Sequence, residues 1–209
     1  MKRVLLITLA LVSCFAAKAQ LPTIKPISVY KVPNISHATY KSGNYNNEDN
    51  GLYWDLHCSN YTCSGERVVA SSSLSSQGSI NYRVANIKDW NHETAWVEGV
   101  SGYGVGEWVE FQNVSGDGTL TAINILNGYV KNDKAWIENS RVKRLKVYLN
   151  DRPIGILELQ DSRSLQSFEL QWAGNYSNIN KLRFEILEVY PGTKYQDTVI
   201  SEIYFSCYP

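Results

Sequence analysis

The chain has 209 residues, with 20 basic and 20 acidic side chains, and 12% of its residues are aromatic. Because it has no net positive charge and no basic stripe, it lacks the electrostatic pattern of a nucleic-acid-binding protein. The three histidines are scattered and show no zinc-ligand spacing. The length allows one domain with a sizeable core.

The first 19 residues have the features of a secretory signal. Two basic residues precede an apolar run, residues 4–15, which is too short to span a bilayer comfortably. Ala17-Lys18-Ala19 fits a small-x-small cleavage site, so we expect a secreted or periplasmic protein that begins at Gln20. The alternative is a lipoprotein processing box at Leu11-Val12-Ser13-Cys14, which would anchor Cys14 at the cell envelope.

Three cysteines follow the signal: Cys58, Cys63 and Cys207. Export favours a disulfide, but an odd number leaves one thiol over. Cys58 and Cys63 could close a local loop, or either could bond to Cys207. We favour a bond to Cys207, because the two termini of a sandwich domain often lie close together.

The remaining chain divides into two parts. Residues 20–63 contain three prolines and a polar, turn-rich stretch at 42–51, which predicts an irregular N-terminal arm or spacer. Residues 64–209 contain short alternating runs, as at 144–149 and 181–186, with a turn signal at 150–153. Because no stretch has a convincing helical pattern, we predict an all-β sandwich.

Aromatic rings, amides, carboxylates and cations are concentrated in Gly-rich turns between these runs. Rings can stack on pyranose faces, and paired polar groups can bind sugar hydroxyls. Structural roles remain open for all of them, as core packing for Trp96 and as salt bridges for the charged residues. The candidates for a glycan site are Trp96, Glu98, Glu107, Asn127, Tyr129, Lys131, Arg141, Tyr190, Lys194, Tyr195 and Asp197.

No catalytic motif accompanies these residues. Glu98 with Glu107, or Asp161 with Asp197, could be proposed as a glycosidase pair, but nothing marks one partner as a proton donor. Neither a Gly-x-Ser-x-Gly nor a His-Glu-x-x-His string is found. The glycines at 102, 104 and 106 lack dinucleotide-loop spacing and lead into a strand pattern. We therefore expect no enzyme, with a glycoside hydrolase as the minor alternative.

Several unusual strings occur in order over about residues 66–206. They are Val69–Leu74, Thr94–Gly99, Gly102-x-Gly104-x-Gly106-Glu107, Asn127-Gly128-Tyr129-x-Lys131, Asn139-Ser140-Arg141 and Tyr190–Ile203. These strings resemble the discoidin-like, coagulation-factor 5/8 type C superfamily of galactose-binding-like jelly rolls, and more closely the glycan-binding translocation domain of secreted NAD glycohydrolases. This resemblance implies a jelly-roll β-sandwich that binds carbohydrate, and it does not imply NAD hydrolysis.

Asp89-x-Asn91-x-x-Thr94, together with the distant Glu202, resembles the structural calcium loop of discoidin-like carbohydrate modules. Calcium takes six to eight oxygen ligands from carboxylates, amides, hydroxyls and carbonyls. The other interpretation is an Asx-type turn, with Glu202 paired to a cation. A structural Ca²⁺ is thus the one cofactor considered, and no organic cofactor is expected.

These observations predict a secreted, non-catalytic glycan-binding module whose ligand is a glycan or glycoconjugate. The alternative is an accessory domain that docks a protein partner at the cell envelope with a degenerate sugar site. Trp90 and His92 support that alternative, because they stand where relatives more often have small polar residues. The sequence does not show which glycan would bind.

Overall fold

The computed structural model describes residues 20–32, 62–115, 119–170 and 179–208. Strands dominate these residues, with a 3₁₀ helix at Val84–Lys88 and a short α-helix, α1, at Asp133–Glu138. The strands are β1 (Thr23–Ile24), β2 (Ser28–Lys31), β3 (Thr62–Ala70), β4 (Trp96–Val97), β5 (Trp108–Ser115), β6 (Thr119–Asn127), β7 (Ser140–Leu149), β8 (Arg152–Glu158), β9 (Ser164–Glu169), β10 (Ile179–Tyr190) and β11 (Thr198–Tyr208).

Hydrogen bonds link the strands in the order β1-β8-β7-β10-β5-β3-β11-β6-β9-β2, and β4 pairs with β11. The first six strands of this order, which are β1, β8, β7, β10, β5 and β3, form one layer. The last four, β11, β6, β9 and β2, form the other. β11 joins the layers twice: it pairs antiparallel with β3 near Phe205 and parallel with β7 at Thr198 and Val199. The all-β sandwich predicted from the sequence is confirmed.

Aromatic rings from both layers meet in the core. The ring centroid of Phe111 on β5 lies 4.9 Å from that of Phe205 on β11 and 6.1 Å from that of Phe184 on β10. Leu182 and Ile186, two residues to either side of Phe184, are fully buried with it. The strict alternation of residues 181–186 therefore reports one core-facing side of β10, as predicted.

The turn predicted at residues 150–153 is a tight hairpin between β7 and β8. Asn150 and Asp151 both have positive φ angles, 47° and 66°, as a type I′ turn requires. The Asn150 Oδ1 accepts hydrogen bonds from the backbone N–H groups of Asn180 and Lys181, each at 3.0 Å. These bonds attach the hairpin to the start of β10.

The described part of the N-terminal arm contains two short strands. β1 adds to β8 in parallel, and β2 pairs antiparallel with β9, so residues 20–32 extend both sheet edges.

Residues 1–19 and 33–61, with the signal, the rest of the arm and Cys58, lie outside the described residues. Cys207 is disulfide-bonded. The side chains of its two candidate partners, Cys58 and Cys63, are outside the described set. No helix in the described ranges is long and apolar enough to cross a membrane.

Helix α1 was not predicted from the sequence. Its first turn is capped by Asn132, whose Oδ1 accepts from the Ala135 N–H at 2.8 Å. Its end is closed by Asn139, whose backbone N–H and side-chain amide both donate to the Ala135 carbonyl. Six residues are too few for a recognisable hydrophobic period, so only the capping asparagine signalled it.

Phe111→Ala should lower the free energy of unfolding by about 3–5 kcal/mol, because it opens a cavity between the two layers. Chemical denaturation followed by tryptophan fluorescence would measure the loss. Val105→Ala, at a side chain that is 62% exposed, is the matched control and should change little. An equal response of the two variants would contradict the placement of Phe111 in the core.

Candidate ligand-binding cleft

A cleft of about 180 Å³ opens among the loops at one end of the sandwich. Its walls come from the segment after β3, from β4, from the segment around α1 and from the connection between β10 and β11. Three tyrosines, two carboxylates and two amides share it with small apolar groups. The lining residues are Leu74, Gln77, Tyr82, Val97, Tyr129, Ala135, Glu138, Asn139, Tyr195 and Asp197.

Three phenol rings give the cleft its aromatic surface. Tyr195 is 40% exposed, and Tyr82 and Tyr129 are half-buried. Burial raises the pKa of Tyr82, as do the nearby Asp197 and Tyr195. Burial likewise raises the pKa of Tyr129, with smaller contributions from Tyr82 and Glu93. The phenols of Tyr82 and Tyr129 therefore stay protonated at neutral pH and can both donate and accept hydrogen bonds.

Polar groups surround these rings. Asn139 donates its side-chain amide to the Ala135 carbonyl, which leaves its Oδ1 for other partners. The Glu138 carboxylate lies 4.0 Å from the Lys134 ammonium group along the surface of α1. No hydrogen bond to the Asp197 carboxylate is found within the described part of the chain. The cleft thus offers several acceptors for ligand hydroxyl or amine groups.

Strand β11 holds Tyr129 in place through both neighbours of that residue. The Gly128 N–H donates to the Val199 carbonyl at 3.0 Å, and the Ser201 hydroxyl donates to the Gly128 carbonyl at 2.8 Å. The Val130 N–H donates to the Ser201 Oγ at 3.1 Å. Gly128 has φ +80°, and a Cβ there would lie 2.6 Å from the Arg141 side chain. Glycine is therefore required at this close approach.

Ser140 fixes the loop that carries Tyr195 and Asp197. Its N–H donates to the Asp197 carbonyl at 3.1 Å, and its hydroxyl donates to the Tyr195 carbonyl at 3.0 Å. The Gly192 N–H donates to the same hydroxyl oxygen at 3.0 Å. Ser140 is fully buried, so these bonds are shielded from water. The loop is consequently anchored to the start of β7.

The Arg141 side chain stabilises the wall of the cleft that the segment around α1 forms, and it does so from the side away from the cleft. Its guanidinium donates two hydrogen bonds to the Asp161 carboxylate, at 2.8 and 3.0 Å, and donates to the carbonyls of Asn139 and Trp136. It also lies 4.5 Å from the Trp136 ring centroid and is only 7% exposed. This side chain fastens the C-terminal end of α1 and does not line the cleft.

Two other buried candidates serve the scaffold. The Asn127 amide donates to the Val142 carbonyl at 2.7 Å and accepts from the Val142 N–H at 2.9 Å, which joins β6 to β7. The Glu98 carboxylate accepts from the N–H groups of Val100 and Thr198 at 2.8 and 3.1 Å. Burial raises the pKa of Glu98, and these two N–H groups oppose that shift.

The other candidates lie in the core or outside the cleft lining. Trp96 is fully buried and donates its Nε1–H to the Ser72 carbonyl at 3.0 Å, so neither ring face is open to a sugar. Glu107 accepts hydrogen bonds from the hydroxyls of Ser71 and Ser72. Tyr190 donates its hydroxyl to the Leu159 carbonyl at 3.0 Å and is not part of the lining.

Three of the eleven predicted glycan-site residues, Tyr129, Tyr195 and Asp197, therefore line one cleft. Lys194 lies outside it, with its Nζ 4.8 Å from the Tyr195 ring centroid, and Lys131 is exposed. The lining residues that were not among the predicted candidates are Leu74, Gln77, Tyr82, Val97, Ala135, Glu138 and Asn139.

Signals for four of the missed residues were present. Leu74, Val97 and Asn139 belong to the unusual strings, and Glu138 is the last residue of the helix that Asn132 caps. Gln77 and Tyr82 lie in a serine-rich turn region in which nothing distinguishes a ligand-facing side chain from a solvated one.

The four residues of the candidate calcium loop are close together. The Asn91 N–H donates to both the Asp89 Oδ1, at 3.0 Å, and the Glu202 Oε1, at 2.8 Å. The Thr94 hydroxyl donates to the Asp89 carboxylate at 2.8 and 2.9 Å. Glu202 is 1% exposed, and its pKa is raised well above the ordinary value, first by burial and then by Asp89.

This geometry combines both interpretations of the loop. The Asx turn exists, because Asp89 accepts from the N–H two residues later. No salt bridge to Glu202 occurs in the described part of the chain; its carboxylate faces that of Asp89 instead. A cation would stabilise the buried Glu202 carboxylate beside the exposed Asp89 carboxylate, so the residues present fit a calcium ion.

The two-layer sandwich with its terminal loop cleft defines a galactose-binding-like β-sandwich of the discoidin type. The family model of the NAD glycohydrolase translocation F5/8 type C domain matches residues 60–206. The chain belongs to this family. A search of curated proteins found no match.

Solved structures share the fold. The CBM32-1 and CBM32-2 domains of Clostridium perfringens ZmpB superpose with a TM-score of 0.53 at 11% identity, over 92% of this chain and 43% of theirs. The same domains in complex with GalNAc give a TM-score of 0.51 at 11% identity, over 92% and 42%. CBM32-3 of a Clostridium perfringens family 31 glycoside hydrolase gives 0.50 at 15% identity, over 72% and 97%. The chain thus spans less than half of the first two structures.

Arg141→Lys should lower the free energy of unfolding by about 2 kcal/mol, because an ammonium cannot replace the planar fork that binds Asp161 and two carbonyls together. Urea denaturation would measure the change. Lys143→Ala, on the same strand with an exposed partner, is the control and should change stability little. Equal stability of Arg141→Lys and the wild type would show that the guanidinium contacts do not support the α1 wall.

Proposed function

We propose that this protein is a secreted, non-catalytic module that binds a glycan in the cleft at the loop end of the sandwich. The observation that carries the proposal is the convergence of Tyr82, Tyr129 and Tyr195 with Glu138 and Asp197 on one cleft. Family membership and the shared fold support it, since one structure with this fold was solved with bound GalNAc.

The chemistry of the cleft suits a sugar. A pyranose ring presents apolar C–H faces for the phenol rings and hydroxyls at its edge for carboxylates and amides. A volume of about 180 Å³ is small, so much of a longer glycan would remain in solvent. Weak, shallow recognition follows, because a small part of the ligand is buried.

The carboxyl groups do not support glycoside hydrolysis. A glycosidase needs a carboxylic acid with a raised pKa that reaches the glycosidic oxygen. Burial raises the pKa of two carboxyl groups, those of Glu98 and Glu202. Both are at most 1% exposed and neither lines the cleft. Asp161 is held by Arg141, and Glu107 by two serine hydroxyls.

Tyr129→Ala and Tyr195→Ala should each weaken glycan binding about tenfold, because each removes one ring from the cleft. A glycan array would identify a ligand for the wild type, and calorimetric titration would then compare the variants. Tyr190→Phe removes a hydroxyl outside the cleft and is the control, with no expected change in affinity.

Two outcomes would contradict glycan binding in this cleft. If Tyr129→Ala and Tyr195→Ala fold and keep the wild-type affinity, the sugar binds elsewhere. If the wild type binds nothing on the array and retains a protein partner through purification, the alternative of a protein-docking accessory domain replaces the proposal.

We further propose that Asp89, Asn91, Thr94 and Glu202 hold a structural calcium ion. Asp89 and Glu202 would supply carboxylate oxygens, and the loop would add amide, hydroxyl or carbonyl oxygens. The support is the buried Glu202, whose carboxylate lies near that of Asp89 and accepts from the same Asn91 N–H. The ion would connect the loop after the 3₁₀ helix to β11 and would have no part in binding the sugar.

Calcium should raise the melting temperature of the EDTA-treated wild type by several degrees, because an ion at a hundredfold excess over its Kd adds about 2.7 kcal/mol to the unfolding free energy. Glu202→Gln should abolish this response and should melt above the wild type in EDTA, because it removes a buried charge beside Asp89. Differential scanning calorimetry would record both. Glu188→Gln, at an exposed carboxylate, is the control. A wild-type melting temperature that ignores calcium would reject the site.

A further inference from the structure

The cleft is acidic within its lining. Glu138 and Asp197 are the ionised groups among the lining residues, and no lysine, arginine or histidine belongs to that set. Glu93 lies near enough to act on the Tyr129 phenol, and Asp197 acts on both Tyr82 and Glu98. A ligand that enters the cleft therefore meets a negative local potential.

The nearby cations do not neutralise this potential inside the cleft. Arg141 is bound to Asp161 behind the wall, and Lys134 is 81% exposed on the outer side of α1. Lys131 is exposed and lies outside the lining. Arg163 contacts the Asp133 carboxylate and donates to the Val130 carbonyl. The Lys194 ammonium group lies near the Tyr195 ring, at the edge of the cleft.

Lys194 shows which ligand group this environment accepts. Its Nζ lies 4.8 Å from the Tyr195 ring centroid, a cation–π distance, and its pKa is raised first by the Tyr195 side chain and then by Glu138. An ammonium group of the chain itself thus interacts with an aromatic ring and a carboxylate that both line the cleft. A ligand ammonium could form the same two interactions with more of the cleft around it.

We propose that the cleft selects glycans that contain a hexosamine with a free, protonated amine. This inference rests on the proposed glycan-binding function and adds the charge of the ligand to it. The amine would bind between Glu138, Asp197 and the tyrosine rings, and the sugar hydroxyls would bind the amides of Gln77 and Asn139. An N-acetylated sugar loses the cation, and a sialic or uronic acid places a carboxylate beside two others.

Matched sugars and matched variants test this inference. Glucosamine and galactosamine oligomers, their N-acetylated counterparts and a uronic acid oligomer would be titrated calorimetrically, below and above the pKa of the sugar amine. Below that pKa, we expect the free-amine oligomers to bind about fivefold more tightly than the acetylated ones, as for one partly exposed ion pair with a cation–π contact. Above it, the preference should vanish.

Two variants should move the preference in opposite directions. Glu138→Gln removes an attractive charge and should reduce the preference to about twofold or less. Lys194→Met removes the competing ammonium and should tighten binding of the free-amine oligomers without changing that of the acetylated ones. Lys131→Ala, an exposed lysine outside the lining, is the control and should leave both affinities unchanged.

The failures of the two proposals can be distinguished. Acetylated or acidic oligomers that bind as tightly as the free amines, with binding still lost in Tyr129→Ala, would overturn the selectivity and retain the glycan site. A free-amine preference that Glu138→Gln leaves intact would also overturn it. Binding of none of these oligomers, together with a silent glycan array, would overturn both proposals.

Discussion

Strand β11 is the element on which the other features of this protein depend, because it pairs with both layers of the sandwich. Near its C-terminal end it pairs with β3 and β6, and at its first two residues it pairs in parallel with Ser140 and Arg141 of β7. The second pairing brings the segment before β11 against the segment before β7. The loop end is thereby closed, and the cleft forms where these segments meet.

Closing the sandwich in this way buries many polar groups, and each needs a partner. Ser140, Thr198 and Ser201 are all fully buried at the junction, and the hydroxyl of each donates a hydrogen bond to the backbone carbonyl of a neighbouring loop. Asn127 and Glu98 do the same from β6 and from the segment after β4. Together these hydrogen bonds hold the loops in place. The side chains that line the shallow cleft therefore lose little conformational entropy when a ligand binds.

This network explains which parts of the site the sequence could predict. The strand pattern, the hairpin at Asn150 and the family strings were sufficient for the fold, because alternation and turn residues are local signals. The same strings pointed to Glu98, Asn127 and Arg141 as ligand residues, and the structure places all three among buried partners. In a site built from loops, motif residues can stabilise the loops without touching the ligand. A sequence alone does not distinguish such a residue from one that contacts the ligand.

The cleft surface itself depends on long-range placement. Tyr82 meets Tyr195 only because the turn after β3 and the connection before β11 reach the same end of the sandwich, and no local pattern encodes that meeting. The same long-range placement determines the charge of the cleft lining and therefore the kind of ligand that it can bind. Arg141 would have favoured an acidic sugar had it faced the cleft, but its pairing with Asp161 leaves Glu138 and Asp197 to determine the charge of the lining. The sign of the potential that a ligand meets therefore follows from which charges the scaffold neutralises.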